Sequence, residues 1–359
     1  MGQAVPAPSA AAPNRLAAPA PAGRQEVSPA ATSPQPTAPT PEAAPAVEIV
    51  RLVREQIGRA VVGQEEVVDQ VLAALLAGGH VLLEGVPGVG KTLLALALAR
   101  TFGGRFSRVQ LTSDLMPSDI TGHSIFRPDL GEFKIRRGPV FTHLLLADEI
   151  NRAPAKTQAA LLEAMQEQQV SIEGASFPLE PPFMVLATQN PLEHEGTYPL
   201  PEAQLDRFLM KILVVYPSEE EEVDIVRRVT SGRPGDKLDV ARVSRMVDPE
   251  GVLALQQETA RLLVDDRVLE YAVRLVRRSR TWSGFRLGTG PRGAIALVRV
   301  ARAFAILAGR DHVLPDDVKR AAYPVLRHRV MLAPEMEMSG QTADQALASL
   351  IEDVEAPRR

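Results

Sequence analysis

The chain has 359 residues, 45% of them hydrophobic and 23% charged, with a formal net charge of −4 at pH 7. That length suits about two domains, and the acidic balance excludes a whole-molecule polycation built for nucleic acid. There are no cysteines, which excludes disulfides, thiol catalysis, iron–sulfur clusters and cysteine zinc sites, and the six histidines form no HExxH-type pair.

Alanine and proline dominate residues 1–46, where only Arg15, Arg24, Glu26 and Glu42 are charged. With almost no large apolar side chain to offset the entropy of folding, this stretch is predicted to be a disordered tail. No apolar run approaches the ~18 residues of a membrane span. The N-terminus also lacks the basic start and apolar core of a secretory signal. The expectation is a cytoplasmic chain.

From Val47 the pattern turns globular. One amphipathic helix is predicted over 47–60, and another follows Gly63, with Val67, Val68, Val71, Leu72 and Leu75 at helical spacing. Short apolar runs then alternate with helical stretches: Val81 to Leu83, Phe106 to Leu111, Leu144 to Leu146, Phe183 to Ala187 and Ile212 to Tyr216. Such runs suit a parallel sheet buried on both faces. After Pro217 the strands stop, and helices are predicted around 219–230, 250–264, 266–280, 292–309 and 315–329, broken at Gly232 to Gly235 and Gly284 to Pro291. The expected fold is an α/β domain with a five-stranded parallel sheet over 47–217. A smaller all-α domain over 218–335 and a C-terminal helix and tail over 336–359 follow it.

Gly85-Val86-Pro87-Gly88-Val89-Gly90-Lys91-Thr92 fits GxxxxGK[ST], and it lies between a strand (Val81 to Glu84) and a helix opening at Leu93. Backbone N–H groups of such a loop curl around phosphates. Lys91 would reach the β- and γ-phosphates of ATP, and the Thr92 hydroxyl would bind Mg²⁺. The apolar run ending in Ala147-Asp148-Glu149 puts two carboxylates at a strand end, where buried acids need a cation or water. Asp148 is the second Mg²⁺ candidate, and Glu149 would polarise the water attacking the γ-phosphate.

Three further polar residues stand out. Asn190, in Thr188-Gln189-Asn190-Pro191, either closes a simple turn or orients the attacking water. Arg207 lies near the end of a short predicted helix, where a cation is electrostatically favoured. Its functional reading is an arginine finger reaching the γ-phosphate of a neighbouring subunit. Arg292 follows Pro291 at the start of a helix, where a cation opposes the helix dipole unless an anion such as a phosphate is near.

Together these residues resemble the AAA+ ATPases, specifically the MoxR family, over about residues 47–335. The most specific stretch is Ala187 to Phe208, ATQNPLEHEGTYPLPEAQLDRF, joined by LEGVPGVGKT, ADEINRAPAKTQAALLEAMQE and VLRHRV. The resemblance implies an ATP hydrolase with Val62, Gly63 and Gln64 at adenine. It implies phosphate contacts from Gly85, Pro87, Gly88, Val89, Gly90, Lys91, Thr92 and Leu93, with Asn190 as sensor 1, Arg207 as the finger and Arg292 as sensor 2. It also implies a hexameric ring with a helical lid on each subunit. Client proteins are expected, including ones with von Willebrand A domains, and remodelling or metal-cofactor insertion as the task. Alternatives are a nucleic-acid-stimulated motor of the same clade, or an accessory ATPase of the gas-vesicle or magnesium-chelatase type. Leu115 to Val140, with strand–turn–strand character, resembles the helix-2 insert. Gln169 to Pro182, with Val170 and Ile172 opposite Phe177 and Leu179, resembles the pre-sensor-1 hairpin.

Overall fold

The computed structural model describes residues 46–357 apart from 130, 193–195 and 231–239. The predicted tail, but for Ala46, and the break at Gly232 to Gly235 lie outside the described residues.

Helices α1 (Ala46–Gly58) and α2 (Glu65–Leu76) come first, then β1 (Val81–Glu84), α3 (Lys91–Phe102) and β2 (Phe106–Gln110). A one-turn helix α4 (Pro117–Thr121) leads into the hairpin β3 (Gly122–Arg127) and β4 (Glu132–Arg137). Next are β5 (Leu144–Asp148), α5 (Ala155–Glu167), the hairpin β6 (Gln169–Ile172) and β7 (Ala175–Pro178), and β8 (Met184–Gln189). A short α6 (Glu202–Leu205) and β9 (Met210–Leu213) complete the α/β part. The central sheet has the order β2-β5-β8-β1-β9, and every pair in it is parallel.

Alternation along the strands explains how both faces are buried. Val81, Leu83, Leu144, Leu146 and Leu186 point to a core shared with α1, α2, α3 and the C-terminal helices. Their neighbours Leu82, Leu145, Ala147, Val185 and Ala187 point to a second core with Leu161, Leu162 and Met165 of α5. Period-two geometry sends successive side chains to opposite faces, so a run apolar at every position needs a layer on each side. The edge strand β2 departs from this: Arg108 and Gln110 are exposed. The fifth predicted strand begins two residues earlier than expected and ends at Leu213, leaving Val215 and Tyr216 exposed.

Both predicted inserts are antiparallel hairpins. Ser124 pairs with Ile135 and Phe126 with Phe133. Val170 pairs with Phe177 as expected, but Ile172 faces Ala175 rather than Leu179, because Glu173 and Gly174, both at positive φ, make the turn as tight as possible.

The remainder comprises α7 (Glu219–Thr230), α8 (Pro249–Arg261), α9 (Asp266–Ser279), β10 (Phe285–Leu287), α10 (Pro291–Leu307), α11 (Pro315–Leu326), β11 (Met331–Leu332), α12 (Pro334–Met338) and α13 (Ala343–Asp353). Strands do not stop at Pro217, since β10 and β11 pair across 43 residues or more of chain in a small antiparallel ribbon. Nor does the helix predicted to reach 329 do so: α11 ends at Leu326, and Arg327 to Arg329 lie beyond it. The lid core closes around Tyr271, Leu275, Leu297, Phe304 and Val325, with Leu347 and Leu350 of α13, all fully buried. Among the described residues no helix is long and apolar enough to cross a membrane.

Candidate functional site

Three adjacent strands of the sheet, β5, β8 and β1, end side by side. Strands lie ~4.8 Å apart, so whatever follows them is gathered within roughly 10 Å. The residues that follow are Glu149 after β5, Asn190 after β8, and Gly85 to Thr92 after β1.

The loop after β1 is tied down at both ends. Gly85 N–H donates to Gln189 O at 3.2 Å. Gln64, the N-cap of α2 at φ +60°, donates from Nε2 to Val89 O at 2.9 Å. Gly88 and Gly90 have φ of +86° and +85°, and space at each is open where a side chain would project. That left-handed geometry turns consecutive N–H groups to one side, and with α3 beginning at Lys91 the loop and the helix start form a backbone cradle of the kind that takes an anion. Lys91 Nζ donates to Gly85 O at 2.6 Å, so its charge already lies over the loop. Thr92 and Leu93 stand in the first turn of α3, and Val62 and Gly63 lead into α2. The Glu221 carboxylate lies against Gly63, so α7 closes over this flank. Ser218 N–H donates to Glu221 Oε2 at 2.8 Å, a helix-start bond that fixes that carboxylate.

Asp148 is 6% exposed, and both its oxygens are engaged. Oδ1 accepts from the Thr188 hydroxyl at 3.1 Å, and Oδ2 accepts from Arg108 Nε at 2.7 Å. Thr188 Oγ1 also accepts from the Glu149 N–H at 2.9 Å. Glu149 itself has φ +57°, which swings its side chain away from the strand direction, and Oε2 pairs with Arg152 Nε at 3.0 Å. Asn190 is buried, its Oδ1 accepting from Leu192 N–H at 3.1 Å, with the amide nitrogen left as a donor. Thr188, Arg108 and Arg152 were not singled out from sequence. Thr188 could have been: a hydroxyl two residues from Asn190 in an otherwise apolar strand is a signal.

Arg207 and Arg292 sit elsewhere. Leu209 N–H bonds to His80 O, and Val81 pairs with Met210, so Arg207 is at the N-terminal end of β1, with about 13 Å of strand between it and the loop. There it lines a cleft of about 420 Å³ with Arg292, Arg299 and Arg329. Arg292 Nη1 lies 3.5 Å from Asp206 Oδ2, so the anion beside this first-turn cation is Asp206. No hydrogen bond or ion pair holds the Arg207 side chain among the described residues. Each chain thus carries a phosphate-loop end and an arginine end at opposite ends of the strands of one sheet.

At the same end of β1, His80 is buried. Its Nε2 donates to Met165 O and its Nδ1 accepts from Val185 N–H, both at 3.0 Å. Burial pushes its pKa down to about 4. This ring is a structural link between β1, β8 and α5.

A donor set of one hydroxyl and one buried carboxylate suits Mg²⁺, which keeps several waters and binds chiefly through nucleotide phosphates. Among the described residues no group of three or more His, Asp or Glu forms an all-protein cage.

Comparison with known proteins agrees with this geometry. The family described as "ATPase family associated with various cellular activities (AAA)" matches residues 80–210, and the AAA lid domain matches residues 277–350. Chaperone MoxR1 of Mycobacterium tuberculosis is 48% identical over 288 residues, 77% of this chain and 74% of the relative. Protein YeaC of Bacillus subtilis is 46% identical over 303 residues, 84% of this chain and 93% of the relative. Protein MoxR of Methylorubrum extorquens is 35% identical, covering 84% and 93%. A solved structure from Cytophaga hutchinsonii, of a protein assigned as an ATPase, superposes with a TM-score of 0.80 at 41% identity, covering 87% and 96%. A phosphate loop and acidic strand end on a parallel sheet, a helical lid, and relatives matched along most of their length place the chain in the MoxR family of AAA+ ATPases.

Proposed function

We propose that this ATPase works as a ring, with each ATP bound between the loop end of one copy and the arginine end of the next, and that hydrolysis drives chaperone-like remodelling of partner proteins. The observation that carries the reading is the separation of Arg207 and Arg292 from their own Gly85–Thr92 loop by the length of β1. That separation favours action of those cations on a γ-phosphate held by a second copy.

In this reading Val62, Gly63 and Gln64 border adenine, and the N–H groups from Gly85 through Leu93 cradle the phosphates. Lys91 leaves Gly85 O for the β- and γ-phosphates. Thr92 and Asp148 would hold Mg²⁺, which would offset the negative charge of the phosphates. Glu149 accepts a proton from the attacking water while Asn190 orients it. The water oxygen bonds to the γ-phosphorus, the bond to the bridging oxygen breaks, and ADP leaves with inorganic phosphate. Arg207 and Arg292 of the neighbouring copy stabilise the charge that develops.

The name of the mycobacterial relative supports the chaperone reading, and the exposed Phe126–Phe133 pair on the β3–β4 hairpin offers a surface for a protein client. Von Willebrand A domain proteins are the proposed clients. Lys91→Ala should abolish tight ATP binding, whereas Glu149→Gln should bind ATP, lose turnover and trap clients. Calorimetric titration, phosphate release and client capture read these out. Equal ATP affinity in wild type and Lys91→Ala would sink the site assignment, and stimulation by single-stranded DNA but not by a captured protein would favour a nucleic-acid motor.

A further inference from the structure

Arg329 is almost wholly enclosed, its side chain 5% exposed, although it lies beyond α11 on the lid. Its guanidinium reaches into one short segment of the α/β part. Nε donates to Asp206 Oδ1 at 2.8 Å, Nη1 to Leu209 O at 3.1 Å, and Nη2 to Phe208 O at 2.6 Å and Asp206 O at 3.4 Å. Val325 O is the one acceptor from its own side. Its two neighbours act in the same direction: His328 Nε2 donates to Phe208 O and Arg327 Nη1 to Lys211 O, both at 3.1 Å. The segment so gripped, 206–211, contains Arg207.

The pattern is selective. The carbonyls of Asp206 and Phe208, on either side of Arg207, are both bound from the lid, while the Arg207 side chain is left pointing into the cleft. Asp206 is the branch point, with Oδ1 on Arg329 and Oδ2 towards Arg292. A planar five-donor fork satisfies a carboxylate and several carbonyls at once, which a lysine cannot do, and burial makes each of those bonds costly to leave unmade. Such a grip fixes the backbone of the one residue whose placement against a neighbour's phosphate matters most.

We propose that Arg329, acting through Asp206 and the 206–209 carbonyls, is the positioning residue for Arg207, so that the lid of each copy sets the finger it offers to the next. The proposal rests on the reading of Arg207 as acting on nucleotide held by a second copy.

The test is a set of turnover measurements on the full chain. Arg329→Gln, Arg329→Lys and Asp206→Asn are each made alone and in an Arg207→Ala background. Ring mass, KM for ATP and melting temperature are followed beside kcat. Arg329→Gln should lower kcat by about tenfold or more with KM and ring mass within about twofold, since misplacing a reacting group by 1 Å costs on the order of 10²-fold. Arg329→Lys, which keeps the pairing with Asp206, should recover part of that loss. In the Arg207→Ala background Arg329→Gln should lower kcat no further, and in an Arg207→Ala/Arg292→Ala background neither should Asp206→Asn, because the groups each one positions are already gone. A merely structural role would instead multiply the losses, and that result, or wild-type kcat in both single variants, overturns the proposal. If Arg329→Gln does not fold, Asp206→Asn, at a half-buried position, carries the comparison alone. Normal turnover by Arg207→Ala would overturn the reading of Arg207 itself; slow turnover with multiplying losses would sink only the positioning role.

Discussion

Thr188 is where the site and the stability of the sheet meet. Its hydroxyl donates to Asp148 and accepts from the Glu149 N–H, and the residue is 2% exposed. Thr188→Val keeps the shape and removes both bonds. A hydrogen bond to a charged group contributes about 1.5–3 kcal/mol, and a buried N–H left without a partner costs about 1–3 kcal/mol. The new methyl returns about 0.8 kcal/mol. The net expected loss is about 3 kcal/mol. The same change frees the Glu149 backbone from its strained φ of +57°, so kcat should fall at least about tenfold while ATP still binds. Urea unfolding of the nucleotide-free protein and phosphate release under saturating ATP measure the two effects. Thr188→Ser, which keeps the hydroxyl, should retain turnover and lose only about 1 kcal/mol for the missing methyl. Thr188→Val with a urea midpoint and kcat matching wild type would refute the hub assignment.

Mixing Arg207→Ala with Glu149→Gln, each nearly inactive alone, should restore hydrolysis, because the intact loop end of the first can meet the intact finger of the second; no recovery at any ratio, in rings shown by mass to be mixed, would refute action between copies. His80 has an ordinary pKa of 6.5 but about 4 when folded, so between those values the unfolded chain binds a proton that the folded chain does not. Its contribution is therefore complete above pH 6.5 and is lost as pH falls, about 2 kcal/mol of it by pH 5, and the fall in melting temperature from pH 7 to 5 should be smaller in His80→Gln. Gly85→Ala would drive a Cβ into the Val214 carbonyl just beyond β9, so it should cost about 1–3 kcal/mol and weaken ATP binding, and a variant with wild-type affinity and melting temperature would contradict the packing.

The chemistry of the loop end was legible because it is local. Gly85 to Thr92 is one continuous peptide whose glycines set their own turn, and Asp148-Glu149 closes one apolar run. The sheet strands were legible for the same reason, since a run apolar at every position can only be buried on both faces. Local pattern has no term for which distant groups meet. Thr188 lies 40 residues from Asp148, Arg292 is 86 from Asp206, and Arg329 is 123 from it. The first meeting follows from strand order, which sets β8 beside β5, and the other two from the packing of the α10–α11 region against the segment that leads into β9. The separate ribbon β10–β11 and the early end of α11 escaped notice for a related reason: each is held by partners far along the chain rather than by its own periodicity. Sequence therefore determined which polar and charged residues stand at the two ends of β1. Only the tertiary structure decided that they lie at opposite ends of the sheet's strands, because parallel strands all send their C-termini, and the loops that follow, to one side.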